Sequence, residues 1–274
     1  MSRQATLDAR SLVPDSDVLL VTLDALRYDV AQEAFLAGET PNFASLLPPT
    51  GWTKCHAPGN FTYPSHQAIF AGFLPTPERS SRRARLFALS ADSGSVNART
   101  AVFDAPNIVA GLRNLGYHTA CIGGVGFFNK RNALGSVLPS LFDESHWSRA
   151  MSVTAKESPQ HQMAAAERIL HRTPASRPLF LFMNVAALHP PTHFYVPGAR
   201  RDSIVTQRAA LARVDAQLRR LIEAFEARAQ KSQRRCLTVI CSDHGTTFGD
   251  DGFVGHRLAH PAVWEVPYLE TVLG

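Results

Sequence analysis

The chain has 274 residues, of which 45% are apolar, and it carries a formal net charge of +5 at pH 7. A chain of this size can bury a substantial core, and we expect a single domain over residues 1–274. The mild basic excess suits a small anionic substrate without separating nucleotide, phospholipid and sugar phosphate. We expect no nucleic-acid partner, and the sequence does not define the oligomeric state.

The N-terminus lacks the apolar segment of a signal peptide, and no stretch offers the roughly 18 consecutive apolar residues that span a bilayer. We therefore expect a cytoplasmic protein without a membrane anchor. Four scattered cysteines form no zinc-type pair, and in a reducing compartment they are expected to be free thiols.

Short apolar runs alternate with helical patterns along the chain. The runs at 18–23, 117–122, 179–185 and 236–241 are typical of parallel strands buried on both faces. Apolar residues recur at helical spacing over 206–230, and a second helix is expected over 105–115. This alternation predicts a three-layer α/β/α fold with a mostly parallel, doubly wound central sheet. An arginine-rich run at 79–85 is expected to be a solvated loop.

Acidic side chains and a histidine follow two of these strands. Asp24 ends the first strand, and Asp243 and His244 follow the last, at the sheet edge where open α/β sheets bind ligands. A buried, unpaired carboxylate costs several kcal/mol, so these residues call for a cation. Oxygen and imidazole ligands suit zinc or manganese, with magnesium or calcium as alternatives. A helix cap is the other interpretation of Asp24.

A threonine precedes a short helix-like stretch at 67–70. The hydroxyl of Thr62 can face both a metal ion and the positive end of that helix. Either would lower its effective pKa and make it a competent nucleophile. Read alone, Thr62 and Ser65 are equally good helix-capping residues. With Thr62 added, the predicted metal site has four ligands: Asp24, Thr62, Asp243 and His244.

Histidines supply further candidates for the chemistry of the site. His189 follows the third strand, and His256, His260 and His193 lie in loops. Each can bind a second metal, stabilise charge on a transferring group or protonate a leaving oxygen. The alternative for any single one is an ordinary surface or core histidine.

Several sequence blocks together resemble the alkaline phosphatase and sulfatase superfamily, specifically its small bacterial sulfatase-like hydrolases. The blocks are VTLDALRYD, TPNFASL, FTYPSHQAIFAGFLP, GLRNLGYHTACIGG, FLFMNVAALHPP and CSDHGTTFGDDGFVGHR. The resemblance implies a site at the C-terminal edge of the sheet and the same four metal ligands. It also implies that His189 and His256 lie on the substrate side of the metal. Further candidates for substrate contact are Asn60, Arg27, Lys130 and His260.

The nucleophile motif departs from that of sulfatases. Sulfatases carry a cysteine or serine that becomes formylglycine, followed by any residue and then Pro-Ser-Arg. The matching positions here read Thr62-Tyr63-Pro64-Ser65-His66, and threonine cannot form that aldehyde. The chain therefore resembles the phosphoryl-transfer branch more than true sulfatases.

The metal ligands also depart from those of relatives. Ala25 follows Asp24 where sulfatases tend to have paired aspartates, which argues against their calcium site. Two-zinc relatives have an aspartate four residues before the position of His189. Val185 stands there instead, and Asn184 is a poor substitute. We therefore expect one tight metal site in preference to two.

These observations predict a metal-dependent hydrolase that cleaves a phosphate monoester, diester or phosphonate, with Thr62 as nucleophile and His189 and His256 as charge stabilisers. A phosphotransferase or mutase, or a sulfate-ester hydrolase, would use the same site. A non-catalytic domain that binds an anion or a partner protein is the remaining alternative.

Overall fold

The computed structural model describes residues 7–72, 87–88, 101–102 and 107–274. The arginine-rich run predicted at 79–85 lies outside these residues. The strands are β1 Ser16–Leu23, β2 Thr53–His56, β3 Phe87–Ala88, β4 Ala101–Val102, β5 His118–Ile122, β6 Glu144–His146, β7 Leu179–Val185, β8 Arg235–Cys241, β9 Thr247–Phe248, β10 Val254–Gly255 and β11 Glu265–Leu273. The helices are α1 Ala9–Leu12, α2 Tyr28–Leu36, α3 Pro41–Ala44, α4 Thr62–Ala71, α5 Ile108–Asn114, α6 Ala133–Val137, α7 Ser158–Arg172, α8 Ile204–Ser232 and α9 Pro261–Trp264.

The centre of the protein is a seven-stranded sheet in the order β2-β11-β8-β1-β7-β5-β6. From β8 to β6 all neighbours are parallel, and β11 runs antiparallel to both β8 and β2. The predicted mostly parallel sheet is therefore confirmed. Its centre is formed by β8, β1 and β7, whose ends place the candidate site.

Helices cover both faces of the sheet because successive residues of β1 point to opposite sides. Leu19, Val21 and Leu23 pack with α2, α7 and α8 on one face. Val18 and Leu20 pack on the other face, with α4 and α5. Every residue of β1 and β7 is buried, as expected of strands enclosed by two helical layers. The predicted three-layer architecture is confirmed.

The long helix α8 begins with a capping box, in which the Ser203 hydroxyl accepts from the Thr206 amide and the Thr206 hydroxyl accepts from the Ser203 amide. Its predicted apolar stripe is buried against the sheet. Among the described residues, no helix combines the length and apolarity needed to cross a membrane. All four cysteines are free thiols, as predicted.

Candidate active site

Two buried aspartates meet at the C-terminal edge of the central strands. Asp24 directly follows β1 and Asp243 lies just after β8, and neither side chain is exposed. The Asn184 amide donates to Asp24 Oδ2 at 2.8 Å, and the Ala25 backbone amide donates to Asp243 Oδ1 at 3.3 Å. Among the described residues, nothing hydrogen-bonds to Asp24 Oδ1 or Asp243 Oδ2. Because an unpaired buried carboxylate oxygen is costly, these two atoms fit a cation site.

His244 presents a ring nitrogen to the same two oxygens. Its Nδ1 lies 2.8 Å from the carbonyl oxygen of Gly245, so Nδ1–H donates there and Nε2 keeps its lone pair. Nε2 is 3.6 Å from Asp24 Oδ1 and 3.6 Å from Asp243 Oδ2. Ligand atoms of Asp24, Asp243 and His244 all lie within 4.8 Å of one another, the one such group in the described part of the chain. A second-sphere carbonyl that fixes the imidazole tautomer is typical of metal-binding histidines.

The turn that carries His244 is packed tightly against α9. The Gly245 amide donates to the carbonyl oxygen of Val263 at 2.6 Å. A Cβ atom at Gly245 would lie 2.0 Å from the Ala262 carbonyl oxygen. Glycine is required here by close backbone approach, and this contact fixes the position of His244.

Thr62 is the first residue of α4, so its hydroxyl lies at the positive end of a ten-residue helix. Thr62 Oγ1 is 3.3 Å from His244 Nε2 and 3.4 Å from Asp24 Oδ2. The helix begins at Thr62 itself, five residues earlier than the predicted helix-like stretch. The structure therefore brings together all four residues that the sequence nominated as metal ligands.

The electrostatics of the cluster also fit a cation. Burial, and then the nearby Asp243, raise the pKa of Asp24 to about 6. Burial raises the pKa of Asp243 to about 7 and lowers the pKa of His244. Two carboxylates that resist ionisation side by side, with a neutral imidazole and a hydroxyl, form a donor set that suits zinc or manganese.

Two half-buried histidines border this cluster. The His256 ring centroid lies 4.6 Å from that of His244, and the His189 centroid lies 5.3 Å from that of His256. The Nδ1 of His189 is 2.7 Å from the carbonyl oxygen of Pro190, which leaves its Nε2 unprotonated in the neutral ring. Burial, and then the neighbouring histidines, lower the pKa of His256 to about 3. Both predicted histidines therefore lie between the buried cluster and solvent.

Sequence reasoning missed a buried polar network behind the cluster. Asn184 donates to Asp24 Oδ2 and, at 3.3 Å, to Thr22 Oγ1. Thr22 Oγ1 lies 2.9 Å from His66 Nε2, and His66 Nδ1 lies 2.7 Å from the carbonyl oxygen of Thr62. The network joins a metal-ligand carboxylate to the backbone of Thr62. The four-residue spacing of Thr62 and His66 on one helix was the available sequence signal.

Arg27 and Lys130, two predicted substrate contacts, make other contacts here. The Arg27 guanidinium donates to Asp29 at 2.8 Å through Nε and to both carboxylate oxygens of Asp250 at 2.8 and 2.9 Å through Nη1. The Lys130 ammonium donates to the carbonyl and hydroxyl oxygens of Ser145, both at 2.9 Å. Arg27 thus anchors the loop that contains Asp250, and substrate contact by either residue stays a prediction.

The remaining loop candidates also have local partners. His260 caps α9, where its Nδ1 accepts from the Ala262 amide at 3.0 Å and its Nε2 lies 3.2 Å from an Asp251 oxygen. His193 Nδ1 is 3.2 Å from an Asp202 oxygen. Asn60 lies two residues before the candidate nucleophile, and its carbonyl oxygen accepts from the Arg257 amide at 2.9 Å.

Comparison with known proteins identifies the family and related folds. The sulfatase family model matches residues 16–270. No curated protein sequence matches the chain. Among solved structures, the chain is similar to the soluble domain of lipooligosaccharide phosphoethanolamine transferase A from Neisseria meningitidis, with 14% identity and a TM-score of 0.66, covering 94% of this chain and 77% of that one.

Two further solved structures are similar. The C-terminal periplasmic domain of EcEptC from Escherichia coli, in complex with zinc, has 15% identity and a TM-score of 0.62, and 93% of this chain and 72% of that one are covered. A protein in the alkaline phosphatase superfamily from Vibrio parahaemolyticus has 17% identity and a TM-score of 0.58, with 94% and 60% covered. At these identities the likeness is one of fold. With the family match over most of its length, the chain belongs to the sulfatase family.

Proposed function

We propose that the protein is a metal-dependent enzyme that cleaves a phosphate ester with Thr62 as the nucleophile. The observation that carries this proposal is the position of Thr62 Oγ1, 3.3 Å from His244 Nε2 and beside the carboxylate of Asp24. No side-chain hydrogen bond caps the start of α4 in the described residues, and the Thr62 hydroxyl has Asp24 and His244 as its partners instead. The family is one of enzymes that act on oxyanion esters, which supports the same conclusion.

The residues that would hold the metal are Asp24, Asp243, His244 and Thr62. When bound, a divalent cation supplies positive charge that lowers the pKa of the Thr62 hydroxyl and polarises a phosphoryl oxygen. We propose one tight site for zinc or manganese. Val185 stands where two-zinc relatives have a further carboxylate, and the neighbouring Asn184 donates to Asp24, which supports a single site.

Thr62 Oγ gives its proton to solvent and attacks phosphorus, the bond to the ester oxygen on the opposite side breaks, the leaving oxygen takes a proton from solvent, and a phosphothreonine forms. The N-terminus of α4 favours negative charge on the transferring group. His256, with Nδ1 unpartnered among the described residues, can donate a hydrogen bond to an oxygen of that group. His189 Nε2 has a lone pair and can take the proton of the water that resolves the phosphothreonine, since its Nδ1–H is directed at Pro190.

The test is release of the phenol leaving group from phenyl phosphate, bis(4-nitrophenyl) phosphate and 4-nitrophenyl phenylphosphonate, with each divalent cation in turn. Thr62→Ala is expected to abolish turnover while the fold and most of the metal content persist. Thr62→Ser is the matched control, because it keeps the hydroxyl and should retain activity. Full turnover by Thr62→Ala would rule out the assigned nucleophile, and absence of metal-dependent turnover by the wild type would favour a non-catalytic anion-binding or partner-binding domain.

A phosphotransferase is the second candidate, supported by the similar structures that are named phosphoethanolamine transferases. The two reactions share the first half and differ in whether water or an acceptor hydroxyl resolves the phosphothreonine. Product analysis with and without an added alcohol separates them, because a transferase yields the alkyl phosphate at the expense of inorganic phosphate.

A sulfate-ester hydrolase on the same site is tested with 4-nitrophenyl sulfate beside 4-nitrophenyl phosphate. The threonine at the position of the sulfatase formylglycine supports the phosphate ester as the better substrate. A higher kcat/KM for the sulfate would reverse that preference.

A further inference from the structure

The residue after His256 has its backbone fixed beside the candidate nucleophile. Arg257 has φ of 72°, in the left-handed region that non-glycine residues rarely occupy. Its amide donates to the carbonyl oxygen of Asn60 at 2.9 Å, two residues before Thr62. A strained conformation of this kind persists only where surrounding contacts impose it, and such residues cluster at functional sites. This hydrogen bond ties the loop of His256 to the start of α4.

The Arg257 side chain is also held in place by an aromatic ring. Its guanidinium carbon lies 4.8 Å from the ring centroid of Phe61, the residue that directly precedes Thr62. The side chain is exposed, and no carboxylate of the described residues pairs with it. Its positive charge is one of the causes that lower the pKa of His244 and His256, after burial and the neighbouring groups. Arg257 is thus an unpaired cation at the opening of the cluster.

We propose that Arg257 forms an anion subsite, which binds a second oxyanion on the leaving-group part of the substrate. This inference rests on the proposed function, which puts the reacting phosphoryl group at Thr62. The cluster around Asp24 and Asp243 is fully buried whereas Arg257 is exposed, so its guanidinium contacts the part of the substrate that extends towards solvent.

The chemistry of the side chain defines the group that it binds. A planar guanidinium with fixed donors matches two oxygens of a carboxylate or a phosphate. The Phe61 ring restricts the side chain, so less freedom is lost when the anion binds. The substrate class is therefore a phosphate ester whose leaving group carries a carboxylate or a second phosphate.

The experiment compares three non-hydrolysable ligands by isothermal titration calorimetry on the metal-loaded protein: phenylphosphonate, 3-carboxyphenylphosphonate and 1,3-phenylenebisphosphonate. We expect the wild type to bind at least one of the two ligands that carry a second anionic group about fivefold or more tightly than phenylphosphonate, in line with a charged hydrogen-bonded contact at a partly solvated site. Which of the two binds better identifies the anion as carboxylate or phosphate. This preference, the ratio of the affinity for a ligand with a second anionic group to the affinity for phenylphosphonate, should fall as salt is added.

The main variant is Arg257→Asn, because asparagine tolerates a positive φ and removes the charge. We expect this variant to bind all three ligands with similar affinity, so that its preference is about one. Arg257→Lys keeps a point charge without the planar fork and should give an intermediate preference. The matched control is Arg131→Asn, since Arg131 is also exposed and lies 4.8 Å over the ring of Trp147. It should keep the wild-type preference.

A wild-type preference near one, an equal preference in wild type and Arg257→Asn, or no binding of any phosphonate would overturn the subsite. Turnover of phenyl phosphate by the wild type tests the proposed function separately. If phenyl phosphate is cleaved without any preference, the subsite fails and the function stands. If the preference depends on Arg257 and no ester is cleaved, the subsite stands and the reaction must be reassigned.

Discussion

Replacing Asp243 by asparagine is expected to stabilise the metal-free protein at pH 8, although it removes a proposed metal ligand. Asp243 is fully buried, and its Oδ2 has no hydrogen-bond partner among the described residues. Without a cation, an ionised carboxylate in this position carries an uncompensated buried charge. The neutral amide of asparagine has a similar shape and no such charge.

The magnitude follows from the pKa of Asp243, which burial raises from 3.8 to about 7. A carboxyl group with a raised pKa in the folded state binds more protons when folded than when unfolded. Its contribution to stability is therefore fully present below pH 3.8 and is lost as pH rises through about 7. At about 1.4 kcal/mol per pKa unit, the free energy of unfolding of the wild type should fall by about 3 kcal/mol more than that of Asp243→Asn between pH 5 and pH 8.

The measurement is urea unfolding of chelator-treated protein at pH 5 and pH 8. Asp17→Asn is the matched control, since Asp17 is equally buried but pairs with Arg228 Nε at 2.7 Å. Breaking that pair should lower the free energy of unfolding at both pH values, by about 3–5 kcal/mol. Added zinc or manganese should raise the stability of the wild type and leave Asp243→Asn unchanged. If the free energy of unfolding changed equally with pH in the wild type and in Asp243→Asn, the reasoning would be refuted.

Asn184→Ala removes the donor that orients Asp24 and should weaken zinc or manganese binding by about 10–100-fold, measured by competition with a chelator; unchanged affinity would contradict this role. His66→Phe leaves buried polar groups without partners, so the free energy of unfolding should fall by about 1–3 kcal/mol and kcat should fall with it, because the backbone of Thr62 loses its support. An unaffected kcat would show that His66 does not position Thr62. Gly245→Ala places a Cβ 2.0 Å from the Ala262 carbonyl oxygen, so the turn that carries His244 must move. Metal analysis should find little bound metal in this variant, and full occupancy would argue against the constraint.

The central strands could be predicted from the sequence because they are apolar along their whole length. The run predicted at 179–185 coincides with β7, and the other three differ from the structure by at most two residues at their starts. The strand β11 escaped prediction because it contains Pro267, Glu265 and Glu270 and is only partly buried. Its antiparallel pairing with β8 is a tertiary arrangement that no local pattern encodes.

The candidate ligands could be predicted because each lies immediately after a strand or at the start of a helix. The network of Asn184 and His66 could not, because it depends on which strands are neighbours. Asn184 reaches Asp24 only since β7 lies beside β1 in the sheet. Arg27 shows the same limit, because its partner Asp250 comes from a loop 223 positions away.

The position of β8 beside β1 has a consequence for biosynthesis. Ala25 and Asp243 are 218 positions apart and meet only after β8 has inserted into the sheet. A nascent chain that has not emerged beyond β8 cannot present the carboxylates of both Asp24 and Asp243 to one ion. Metal binding is therefore a late event that follows completion of the central sheet.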